Sequence, residues 1–235
     1  MEKIVGKTFP VGSKLEKAEY VGCTFGSDCK FSSDCTFDLD CTFDSGCKFG
    51  SDCTFGSACT FGSACTFGSA CTFGSYCKFS SDCTFGSACE FGSACTFGSY
   101  CKFSSDCTFG SACEFGSACT FGYSCKFSSG CKFGSYCTFD SGCKFGSGCK
   151  FSSDCTFGSD CTYLGKPFTK LFQIQNLDGS GRSLNILIGE TSYVEAGCFF
   201  GTVEEFTIKA VSEGKSSYAA IAAFVAAIKG KENLS

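Results

Sequence analysis

Histidine and tryptophan are both absent from this 235-residue chain. Without histidine there is no Ser-His-Asp or Cys-His pair to activate a nucleophile, and no imidazole for a mixed cysteine–histidine zinc site. Charge of either sign is scarce as well. Nineteen Lys and Arg against 23 Asp and Glu leave a formal net charge of −4, neither the basic surface of a nucleic-acid groove nor the dense acid of a DNA mimic. No stretch approaches the roughly 20 apolar residues of a membrane-spanning helix. The start, Met1-Glu2-Lys3-Ile4-Val5-Gly6, has no apolar signal-peptide centre. These absences predict no nucleic-acid partner, no membrane partner and a cytoplasmic protein, or one released by phage or lysis. The glycines recur at period six and supply no phosphate-binding loop, and paired acids such as Asp38 and Asp40 fall on corners where solvated carboxylates are the default. No catalytic residue, cofactor site or metal site is assigned, and an enzyme is not expected.

What the chain has in excess is cysteine and phenylalanine, 25 and 30 residues. From Cys23 to Cys161 a cysteine occurs at every sixth position, and two residues after each comes Phe, from Phe25 to Phe157, with Tyr163 at the last step. On an extended segment residues two apart share a face, so Cys and Phe point inward while the Thr or Lys between them points out. The remaining three residues, as in Gly74-Ser75-Tyr76 or Ser80-Ser81-Asp82, form a corner. Glycine there tolerates unusual dihedrals, and Ser and Asp bond to the local backbone. A strand this short is stable only when stacked on its neighbours at about 4.8 Å, which predicts a β-helix.

Read from the aromatic residue, as in Phe85-Gly86-Ser87-Ala88-Cys89-Glu90, the unit resembles the hexapeptide repeat of left-handed β-helices, with Phe and Cys in place of the usual aliphatic and small inward residues. The resemblance implies a triangular parallel β-solenoid, left-handed, with three hexads per coil and about eight coils, mainly β in class. The enzymes best known on that fold are acyltransferases using a histidine base, which this chain cannot supply. Residues 1–22 are expected to cap the solenoid, with Ser13-Lys14-Leu15-Glu16 opening a short helix through Tyr20. The solenoid spans 23–163 and a small α/β cap domain follows over 164–235.

Three chemistries remain open for the cysteines: reduced, buried core residues, a disulfide framework, or metal binding. An in-register ladder gives each thiol equal neighbours above and below and no natural disulfide partner. The spacing is not the C-x2-C of zinc sites. With three hexads per coil, the outward residue forms short Thr ranks interrupted by Lys and Glu, such as Thr24, Thr42, Thr60, Lys78. Ice binding on such a rank, or a thiol-rich metal or redox store, is the alternative to a structural or interaction role. Residues 71–94 and 95–118 are identical, a shift of four hexads that places the copy on the next face and makes the faces interchangeable.

Tyr100 and Tyr136 fall on one face, two coils apart, and are candidate contact residues for a protein partner. Beyond the tract, strands are expected at 168–175, 184–189 and 191–200, the first two joined by a turn at 178–181. A helix should follow the capping box Thr202-Val203-Glu204-Glu205 to Ser212, and a second should run from Ser217 to Lys229, stopped by Gly230. Tyr218, Ile221, Val225 and Ile228 make an apolar stripe on the second helix, read either as the core of the cap domain or as a contact for self-association. The stretch from Val194 to Phe206 resembles uncharacterised phage and prophage proteins; the resemblance implies no activity, and incorporation into a phage particle is the alternative to a cytoplasmic location.

Overall fold

The computed structural model describes residues 3–175 and 183–232, which divide into two units, 1–159 and 160–235. The first unit is a parallel β-solenoid of 27 two- or three-residue strands. They form three ladders of nine, in which each strand from Thr24–Phe25 onward pairs with the one 18 residues on, as Thr66↔Thr84 and Phe67↔Phe85, while the first four strands pair at 16 or 17. Three hexads therefore make one coil, and the unit has nine coils.

The extra coil comes from the segment read as a helical cap. Residues 13–21 contain the strands Lys14–Leu15 and Glu19–Val21. The physical reason is templating. A helix of that length is marginal alone, whereas the open end of an in-register ladder offers a full row of backbone partners. Phe9, Leu15 and Tyr20 enter the inward rank in register with Phe25, Phe31 and Phe37.

Each hexad repeats one set of backbone hydrogen bonds to the coils beside it. Around Phe85, Thr84 N–H donates to the Cys65 carbonyl and Gly86 N–H to the Phe67 carbonyl, both 2.9 Å, while Ala88 N–H reaches up to the Ser105 carbonyl at 2.9 Å. Inside, the phenylalanines stack in three columns. Phe85 lies parallel to Phe67 and Phe103 at 4.8 Å between centroids, and meets Phe79 and Phe91 edge-on at 5.0 and 5.1 Å. Stacked and edge-to-face contacts are both favourable for a ring quadrupole, and this core contains both.

The corners correct the sequence reading of their glycines. The residue in the left-handed region is the third of the corner, whatever its identity: Ala88 at φ 57°, Asp82 and Tyr76 at 63°. The glycine two positions earlier is needed for space instead. A Cβ on Gly86 would stand 2.6 Å from the Gly68 carbonyl carbon and the Ser69 nitrogen of the coil below.

The second unit carries an antiparallel sheet in the order Lys170–Gln175, Ser183–Ile188, Tyr193–Ala196, Phe199–Thr202. The single strand expected over 191–200 is thus a hairpin, turned at Gly197 (φ 61°). The turn expected at 178–181 lies outside the described residues. Helix α1 (Val203–Ser212) begins at Thr202 with the expected capping box. Helix α2 (Ser216–Glu232) passes through Gly230 rather than ending there. One face of the sheet, with Leu184, Ile186, Ile188 and Val194, packs on Phe206 and Ala210 of α1 and on Tyr218, Ile221 and Val225 of α2. Elsewhere in this unit, buried Asn185 donates 2.8 Å hydrogen bonds to the Tyr163 hydroxyl and the Glu195 carboxylate, and accepts one of 2.6 Å from Gln173. A satisfied network of this kind fixes the strand pairing it bridges.

Candidate functional site

Three parts of the chain carry chemistry: the thiol columns, the outward rank of the solenoid and the exposed side of the C-terminal helices. Every tract cysteine except half-buried Cys155 is buried. The strand geometry turns the thiols toward the coil below, where those from Cys41 to Cys155 donate to the carbonyl of the residue 21 positions earlier and Cys23, Cys29 and Cys35 to the one 19 earlier. Cys41 reaches Tyr20 at 3.6 Å, Cys89 reaches Gly68 at 3.4 Å and Cys95 reaches Gly74 at 3.3 Å. Burial pushes the Cys29 thiol up from its ordinary value. For Cys83 the neighbouring thiol of Cys101 raises it, Cys65 opposes and burial adds, leaving it pushed up to about 12. Cys29 and Cys83 are thereby held as neutral thiols at physiological pH, without the nucleophile or ligand character of a thiolate.

The outward rank presents one residue per strand. Thr24, Thr42 and Thr60 pair in register, then Lys78 interrupts them. Lys132 bridges Glu114 one coil below at 2.7 Å. Lysines also stack on one another, Lys132 on Lys150, Lys126 on Lys144 and Lys30 on Lys48.

Tyr100 and Tyr136 are 59% and 64% exposed, in one corner column with Ala118 between them. Tyr123, equally exposed, was passed over in sequence. Its signal was the tyrosine in the place of the corner serine, in Gly122-Tyr123-Ser124. The α2 stripe goes the other way: Tyr218, Ile221 and Val225 are buried in the unit's own core and Ile228 packs against it. On the two helices, the large apolar side chains left outside are Ile208 and Val211 on α1, 65% and 62% exposed, and Phe224 on α2. Exposed Cys198 lines a cavity of about 540 Å³ together with Phe199, Phe206, Lys209, Lys215 and Tyr218.

No described helix is long and apolar enough to cross a membrane. Among protein families, the chain matches the RNA-binding, Nab2-type zinc finger in nine segments: residues 19–32, 28–44, 47–62, 64–80, 77–92, 82–104, 106–128, 131–146 and 149–164. No curated protein and no solved structure matches it. The family match overturns the expectation of no nucleic-acid partner. That expectation rested on net charge, which averages the stacked lysines against aspartates at the corners and so hides local basic columns.

The zinc ion implied by the family name does not fit the residues present. A Cys3His site needs an imidazole and ligand sulfurs that converge as thiolates. Here there is no histidine, the sulfurs face a phenylalanine core, and the described residues hold no group of three or more His, Cys, Asp or Glu able to take a metal. With matched segments covering more than half its length, the chain belongs to the RNA-binding, Nab2-type zinc finger family, as a histidine-free member whose cysteines line a solenoid core.

Proposed function

We propose that this protein is a non-enzymatic structural and interaction solenoid that self-associates through its C-terminal unit. The observation that carries this is an asymmetry of surface. The solenoid's outward rank is Thr, Lys and Glu and its exposed aliphatics, Val5, Val11 and Leu39, lie apart in sequence near its N-terminal end, whereas Ile208 and Val211 lie three residues apart on α1 and Phe224 is exposed on α2. Exposed aliphatic side chains grouped on one pair of helices mark a contact surface more often than scattered ones do. The resemblance of 194–206 to phage and prophage proteins supports incorporation into a particle. Light scattering coupled to size exclusion is expected to give a mass of at least two chains, and Ile208→Lys with Val211→Lys should return it to one. A monomeric wild-type protein, or a double variant of unchanged mass, removes this reading.

A second reading, favoured by the family match, is single-stranded RNA held along the corner of Tyr100 and Tyr136. Tyrosine rings stack bases, at about 1–3 kcal/mol per stacked base, and lysines such as Lys102 meet phosphates. Fluorescence anisotropy with labelled oligouridine at low salt should then show binding that weakens about tenfold or more in Tyr100→Ala/Tyr136→Ala. No binding, or equal binding by the variant, rejects it.

A further inference from the structure

We infer that the cysteine columns are a metal-free packing device, so that this chain folds without the zinc on which its family's name rests. Three independent features lead there. First, direction: the 18-residue register places every third tract cysteine in one column, and each thiol proton is committed to a carbonyl of the coil below, as Cys59 to Asp38 and Cys107 to Gly86, both at 3.4 Å. A zinc-bound thiolate has no proton to donate, so binding metal would leave those carbonyls unpartnered inside the core. Second, access: the tract sulfurs from Cys23 to Cys149 have no exposed surface, and the rings that cover them stack about one coil apart, 4.7 Å between Phe61 and Phe79 and 4.9 Å between Phe79 and Phe97. Third, ligand set: the chain has no histidine, and cysteines in one column are separated by a whole coil, so four of them cannot close around one ion without breaking the ladder.

The cysteine of each hexad is a small, soft apolar residue with a weak donor. It suits its position because the space beside the phenylalanine columns is narrow and the carbonyl of the preceding corner needs a partner. In this architecture stability comes from the ring columns and the coil-to-coil ladder.

The test uses the full-length protein, purified with reductant and then refolded from denaturant with added zinc or with a chelator. The expected result is less than one zinc per chain after gel filtration, by elemental analysis. The two preparations should share the same far-ultraviolet spectrum and melting temperature. A thiol reagent should find one or two reactive cysteines in the native protein, Cys198 and the half-buried Cys155, and all 25 after denaturation. Zinc retained at one or more per chain, refolding that requires the ion, or a native protein in which many tract thiols react at once would each overturn the inference.

Discussion

Phe85→Ala is expected to destabilise the solenoid by about 3–5 kcal/mol, at the upper end of what a single buried ring costs. Phe85 is fully buried and its ring meets six others: Phe67 and Phe103 stacked at 4.8 Å, Phe79 and Phe91 edge-on at 5.0 and 5.1 Å, and Phe73 and Phe97 at 5.8 and 5.9 Å. Truncation removes one ring from a continuous column, and the ladder above and below prevents collapse into the gap, because each coil is held in register by its own hydrogen bonds. The same change at half-buried Phe9, whose ring contacts are Tyr20 at 5.9 Å and Phe25 at 4.9 Å, should cost clearly less. Urea midpoints followed by far-ultraviolet circular dichroism would measure both. Because repeats of this kind touch only their neighbours, hydrogen exchange should show the loss centred on the coils around residue 85. A loss at Phe85 below about 1 kcal/mol would mean that the ring columns are not what holds the coils together.

Much of this architecture was legible because one short period carries it. Once Cys and Phe share a face, three hexads per coil set Thr24 beneath Thr42 and Lys132 beneath Lys150, and the register places them so. What period six could not show was where the ladder starts. Phe9, Leu15 and Tyr20 are irregularly spaced, and only an existing coil makes them inward residues. The same limit applies to the apolar stripe of α2. Tyr218, Ile221 and Val225 lie at helical spacing whether they face a sheet or another chain, and it took the sheet residues Leu184, Ile186 and Ile188 to settle the matter. The exposed pair Ile208 and Val211 was invisible for the converse reason, since only the packing of α1 shows which side is left over. Net charge failed for nucleic acid because it sums a surface on which lysines are stacked and acids are set at corners.

The corner offers the sharper test, because composition can be held constant while geometry is reversed. Exchanging Gly86 and Ala88, as Gly86→Ala with Ala88→Gly, is expected to lower stability even though a left-handed alanine is replaced by the residue best suited to that conformation. Relief at position 88, where φ is 57°, is worth about 1–2 kcal/mol by the cost of a left-handed L-residue, less the extra freedom glycine has in the unfolded chain. Against it, a Cβ at position 86 meets backbone atoms of the coil below at 2.6 Å, and main chain cannot rotate away as a side chain would. The tract shows how far such a corner can give. Serine or aspartate takes the glycine position at Ser80, Ser104 and Asp140, among others, but never in two consecutive coils of one column. Gly86 lies directly beneath Ser104, so an alanine there creates the adjacency that the sequence avoids. Ala88→Gly alone should therefore stabilise by several tenths of a kcal/mol to about 1 kcal/mol. Ala88→Val should destabilise by about 2 kcal/mol, since a β-branched residue is least able to hold a positive φ, and none of the positive-φ positions carries one. The exchange should be less stable than wild type. If it proves more stable, the glycine of the hexad serves its own dihedral after all, and the close approach between coils is not the constraint that keeps it there.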